Sequence, residues 1–313
     1  MQWYEREHEL MSIALAQVSQ LLTRSDSVSK LEACATVLLF CLTELCDGTS
    51  RVWKWHLKAA RTLLTSVGID SLESTPGSKF CLRLFNYLDS MSTIARCKPP
   101  LSQDGKGLAE LTATTTPTMT SCNDSITGMS PALLEFLGMV NLLAAYRSQR
   151  VDELSEIGFR TAATHVQTQL DTWRASYNAA HREHDVEDSN ANLATTAFEW
   201  AVRLRLHQIV DGYSQRHAAV ETAISRIMEA VLAIPYGSPV EGILLFPLVI
   251  AGASSADVER RMLVKERLMV MENTVGFGHI PKARELLETV WAEGNECNWA
   301  KVRYSKFPGV VFI

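Results

Sequence analysis

Few residues in this 313-residue chain stand at spacings that chemistry requires. His181, His184 and Asp185 form the most metal-like group. Two histidines three apart can share a helix face, and a carboxylate beside them is a plausible third ligand. The surrounding segment 180–190 is polar and charged, and spacing indicates no further ligand. A solvated loop is therefore the preferred reading, and no metal site is expected. Asp185 and Asp188 also make one Asp-x-x-Asp pair. An all-α isoprenoid cyclase would use such carboxylates to hold magnesium against a diphosphate. One pair in a loop, with no second magnesium pattern, supports that enzyme weakly.

His56 lies between Trp53 and Ala60 on an apolar helix face, where a core histidine with one hydrogen-bonded nitrogen is the expectation. Trp53, Trp55, Trp291 and Trp299 could stack on bases, but their helical spacing and aliphatic neighbours favour packing. Met262, Met269 and Met271 could line a pliable partner surface, with core filling again the default. The chain has no phosphate-cradling loop, dinucleotide fingerprint, nucleophile elbow or His-Glu-x-x-His. No catalytic residue, metal ligand or cofactor is assigned, and the chain is not expected to be an enzyme.

Composition narrows the class further. The formal net charge is -5, and no run of Lys and Arg stands out, which argues against a duplex-binding surface and leaves room only for a local basic patch. The seven cysteines are odd in number, none forms Cys-x-x-Cys, and most fall in apolar helical patterns. Reduced, buried thiols in a nuclear or cytosolic protein are expected. The longest strongly apolar stretch, residues 242–253, is too short to span a bilayer and contains Pro247.

The elements that must position any site read as helices. Periodic apolar residues mark helices over 5–22, 28–46, 51–64, 78–97, 151–178, 193–211, 219–234, 257–273 and 282–294, and another that starts at 131. Residues 28–46 are apolar on nearly every face, so that helix is expected at the centre. Residues 240–253 are read as one helix kinked by Pro247. Ser255 is read as the N-cap of the helix after it. Residues 98–131, rich in Thr, Ser, Gly and Pro, are read as a disordered insertion within one domain over 1–313. The tail 302–313 is expected to be short and partly extended. No run of alternating strands occurs, so the fold class is all-α, a multi-helix array with short loops.

Four blocks then resemble the fungal-specific transcription factor domain, the regulatory region that follows zinc binuclear cluster modules. The first is residues 38–64, where a buried helix precedes Trp53, His56-Leu57, small residues and a Leu pair. The second is Leu133-Leu134-Glu135-Phe136-Leu137-Gly138. The third, and most specific, runs from Leu244 through Pro247 to Gly252, with Arg260-Arg261 in the next helix. The fourth is residues 283–291, ending at Trp291, with Trp299 following. These are fold signatures, so they carry architecture further than mechanism.

The resemblance implies a nuclear regulatory and interaction domain that controls RNA polymerase II transcription. It implies action through homo- or hetero-dimers with related transcription factors, through other partners, or through a small-molecule effector in a cleft between helices. The six-cysteine zinc pattern of the family is not seen in this chain, so contact with DNA is expected to be indirect. An isoprenoid-type enzyme and a non-nuclear helical scaffold are the alternatives.

Overall fold

A computed structural model describes residues 2–24, 26–67, 75–96, 98–113, 127–183, 189–294 and 297–313, with the side chains of 2–8, 181–183 and 189 excluded. The described residues form thirteen α-helices and no strand. They are α1 (Gln2–Leu22), α2 (Ser27–Asp47), α3 (Trp53–Val67), α4 (Pro76–Thr93), α5 (Leu108–Ala113), α6 (Ala132–Tyr146) and α7 (Glu153–Glu183). There follow α8 (Ser189–Val210), α9 (Ala218–Ala233), α10 (Leu245–Ser254), α11 (Val258–Thr274), α12 (His279–Glu293) and α13 (Trp299–Lys306).

The two centres of the array are α6 and α10. Every residue of α10 is buried, and so is nearly every residue of α6. Both pack on α8, and α6 also packs on α4, so α6 and α8 together join the N-terminal layer of α1 to α4 to the C-terminal layer of α9 to α13. The sequence explains the placement: neither helix carries a polar face to offer water. By contrast α2 is central on one side only. Cys34, Leu38, Cys41 and Leu45 are buried, while Val28 and Leu39 are exposed.

Caps set the helix ends. Asp26 accepts from Ser29 N at 2.8 Å to start α2, and Gly48 ends it at φ 74°. Thr75 and Ser78 form a capping box at α4, with Pro76 in the first turn. Asp257, not Ser255, caps α11, because its carboxylate accepts from Glu259 N at 3.0 Å. Ser255 instead ends α10 and accepts from Asp257 N at 3.2 Å.

Other expectations also change. Residues 240–253 are not one kinked helix. A 3₁₀ turn, Gly242–Leu244, leads into α10, and Pro247 falls in the first turn of α10. Its missing N–H costs no helical bond there. Helix α13 replaces the start of the expected extended tail, capped by Asn298, which accepts from Lys301 N at 3.0 Å. Of residues 98–131, the flanks are structured: a 3₁₀ turn (Leu101–Gln103), α5, and buried Thr127, Met129 and Ser130. Residues 114–126 lie outside the described residues.

Two polar contacts lock the layers. Asn141 on α6 donates to Ser90 O at 2.8 Å and Thr93 Oγ1 at 2.9 Å on α4. Gln208 on α8 donates to Ser254 Oγ on α10 at 2.8 Å and accepts from Trp299 Nε1 on α13 at 2.9 Å. A buried amide left without such partners would cost about 1–3 kcal/mol, so these bonds select one packing arrangement.

Candidate functional site

Helix ends from both layers meet around a cleft of about 880 Å³. The first turns of α3 supply Trp53, Lys54, Trp55, Leu57 and Lys58, with Arg51 just ahead. Asp89, Ser92 and Thr93 come from the end of α4, and Ala95, Arg96, Lys98 and Pro99 from the chain beyond it. Arg147 follows α6 in a 3₁₀ turn. Arg205 and Ile209 come from α8, with Tyr213 after it. Lys301, Arg303 and Tyr304 come from α13.

The wall is held by specific bonds. Asp89 is buried, and its two carboxylate oxygens accept from Leu101 N at 2.8 Å and Ser102 N at 2.7 Å. That fastens the segment after α4, so Pro99 and Leu101 line the cleft. Burial pushes the Asp89 carboxyl up, while the two N–H groups pull it down. Asn141 anchors the end of α4 from the other side.

The electrostatics are one-sided. Among the described residues, nine of the chain's 30 Lys and Arg line this cleft, against one carboxylate, Asp89. Arg96 lies 4.8 Å over the Trp53 ring, Arg147 5.6 Å over Tyr213, and Arg205 4.9 Å over Trp299. Burial, then Arg96, Arg303 and Arg51, depress the Lys54 ammonium to about 8. Burial, then Arg96, also push Arg303 down, although a guanidinium stays charged at neutral pH.

Several donors are spoken for and two are not. Arg303 Nε donates to Val310 O at 2.7 Å, and its Nη2 reaches the same oxygen. Arg205 Nη1 donates to Tyr213 Oη at 2.8 Å and Nη2 to Ile94 O at 2.9 Å. Arg205 Nε and Trp53 Nε1 are buried and have no hydrogen-bond partner among the described residues. Unpaired buried donors are rare in folded proteins. Among the described residues the lining contains no histidine or cysteine, and its one carboxylate is bound by backbone. The arrangement suits binding rather than proton transfer.

The residues singled out in the sequence fall into two groups. Trp53 and Leu57 are buried in the cleft wall, and Trp299 is buried beneath Arg205. Pro247, Gly252 and Trp291 sit where α10 meets α11 and α12. There Trp291 Nε1 donates to Gly252 O at 2.8 Å, and Arg261 lies 5.8 Å over the indole. A Cβ at Gly252 would stand 2.9 Å from Val264 Cγ1, so close packing requires the glycine. His56 is half-buried, 5.7 Å from the Phe40 ring, rather than a core histidine. Among the described side chains the buried histidine is His279, whose Nε2 meets the Ile313 main-chain oxygen at 2.9 Å.

Two packing expectations are corrected. Trp55 is 69% exposed, and Met262 and Met269 also face outward, leaving only Met271 of that stripe in the core. His184, Asp185 and Asp188 lie outside the described residues, and His181 is placed by its backbone alone. Among the described residues no three metal-ligating side chains gather. No described helix is long and apolar enough to cross a membrane. Cys34, Cys41 and Cys81 are buried free thiols, and Cys46 and Cys297 are half-buried.

Sequence reasoning missed Arg96, Arg147, Arg205 and Arg303. They come from separate elements, so no local run of charge announces them. The partial signal was Lys54 and Lys58 beside Trp53 and Trp55.

A family model described as fungal specific transcription factor domain matches residues 1–308. The chain belongs to that family. A fungal-specific transcription factor domain has a regulatory role, is typically non-enzymatic, and generally belongs to a nuclear protein. No curated protein and no solved structure matched this fungal-specific transcription factor domain.

Proposed function

We propose that this domain is the sensory part of a nuclear transcription regulator, and that a small-molecule effector in the cationic cleft sets its influence on RNA polymerase II. The cleft itself carries this reading. Its volume suits a metabolite-sized ligand, and its wall draws on both layers of the fold. A ligand there touches α3, α8 and α13 together, so occupancy biases how the layers sit. Contact with DNA is through partners or other modules.

The test is a reporter driven by the domain fused to a heterologous DNA-binding module. Arg96→Glu and Lys54→Glu alter output relative to the unsubstituted domain while nuclear location and expression level hold. Unchanged output in both variants would overturn the effector reading.

A second reading is self-association. Val258, Met262 and Met269 are exposed along α11, with Met262 66% exposed. Methionines on a surface suit an adaptable partner face. Sedimentation equilibrium checks it: a dimer that Met262→Lys converts to monomer supports this reading, and a monomer at all concentrations removes it.

A further inference from the structure

We infer that the ligand of the cationic cleft is a small dianion carried on a flat apolar body, a phosphomonoester or a dicarboxylate of an aromatic ring system. This rests on the cleft being the effector site, and names what the effector is.

The first argument is charge. An acidic chain has gathered nine cations around one cleft, and the single carboxylate there is committed to two backbone N–H groups. Lys54, Arg96 and Arg303 are close enough to repel one another, and burial denies them the water that would screen the repulsion. One negative charge among three such cations leaves most of that repulsion standing. Two charges on one group remove more of it and suit the planar guanidinium fork.

The second argument is the unpaired donors. Arg205 is 3% exposed, yet its Nε has no partner among the described residues, and Trp53 Nε1 is in the same position. Both residues line the cleft, so an acceptor brought by a ligand would satisfy what the protein leaves open. Donors this deep are reached by a compact group.

The third argument is the rim. Trp55 and Tyr304, 69% and 67% exposed, line the same cleft as Leu57, Pro99 and Ile209. Large exposed rings beside an apolar wall are a stacking surface for a flat ligand. Lys58 Nζ already lies 5.0 Å over the Trp55 ring, so the rim also favours negative charge.

The experiment is titration calorimetry of the whole domain with naphthyl phosphate, naphthalene dicarboxylate, naphthol and inorganic phosphate, plus an acidic peptide rich in Glu and Phe. The expected result is that one or both aromatic dianions bind about tenfold or more tighter than naphthol and than inorganic phosphate. Lys54→Gln and Arg96→Gln each weaken that binding by about tenfold, with the circular dichroism of the domain unchanged. Preference between the two dianions distinguishes a phosphomonoester from a dicarboxylate. Naphthol binding as tightly as the dianions would overturn the dianion while leaving the effector cleft in place. Tight binding by the acidic peptide alone would make the cleft a docking groove and overturn both. Binding by none of the probes would also overturn both. Dianion binding untouched in Lys54→Gln and Arg96→Gln would place the site elsewhere, against the inference.

Discussion

Trp299 Nε1 donates to Gln208 Oε1 at 2.9 Å, across a separation of 91 residues. The same glutamine donates to Ser254, so one side chain ties α8, α10 and α13 together. Both Trp299 and Gln208 are buried. Gln208→Leu keeps the approximate volume but strands two polar partners. The expected loss is about 2 kcal/mol of unfolding free energy. A urea double-mutant cycle with Trp299→Phe should show coupling of about 1 kcal/mol, and strict additivity would mean the bond contributes nothing.

Gly48 ends α2 at φ 74°, and a Cβ there would stand 2.6 Å from His279 Cα. Gly48→Ala therefore meets left-handed strain and a backbone clash at once. A loss of about 2 kcal/mol or more is expected in thermal or urea unfolding. A neutral Gly48→Ala would mean that α12 does not press on this turn.

Lys54 provides a pH test. Its folded pKa is depressed from 10.5 to about 8, so the unfolded chain holds that proton more tightly. Between these values the unfolded state binds more protons, and stability from this group rises with pH. Below about 8 the charged ammonium is a standing penalty. Lys54→Met should stabilise the domain at neutral pH, with the advantage shrinking above pH 8 and gone near 10.5. Matched unfolding curves across that range decide it. A constant difference between the two proteins would show that neither burial nor the neighbouring cations depress Lys54.

His279 titrates on the acid side. It is fully buried, and burial is the main cause holding its pKa below 6.5. The neutral ring is the folded form, so its contribution is complete above 6.5 and is lost as pH falls through that value. Nε2 donates to the Ile313 main-chain oxygen, which helps hold the buried tail from Val310 to Ile313. The protection factors of those amides, which correct for the slower intrinsic exchange in acid, should fall below pH 6.5. His279→Gln should make the exchange faster at every pH and remove that acid step. An acid step that persists in His279→Gln would assign it to another group.

Much of the fold was legible along the chain. The apolar positions of α3, Trp53, Leu57, Ala60 and Leu64, recur at helical spacing, and all four are buried. Centrality was less legible: residues 28–46 read as the central helix, but Val28 and Leu39 face outward, and α6 and α10 take the centre instead. The family was legible only as a resemblance, through blocks such as Leu244 to Gly252 and the pair Trp291 and Trp299. Periodicity alone did less well at helix ends. Ser255 reads as the cap along the chain, and only the backbone path decides that Asp257 takes the role.

The cleft was not legible, and the reason is physical. Its cations stand on α3, after α4, after α6, on α8 and on α13, so proximity comes from packing rather than spacing. Exposure behaves likewise: Met262 and Met271 share one helix and one composition, but only Met271 meets the core. From sequence alone came the all-helical class and most of the buried faces, because both are written in local periodicity, while the family came from the resemblance of four motif blocks. Tertiary structure alone decided which charges face one another and which donors are left without partners. Coulombic repulsion and hydrogen-bond pairing depend on distances between elements far apart in the chain.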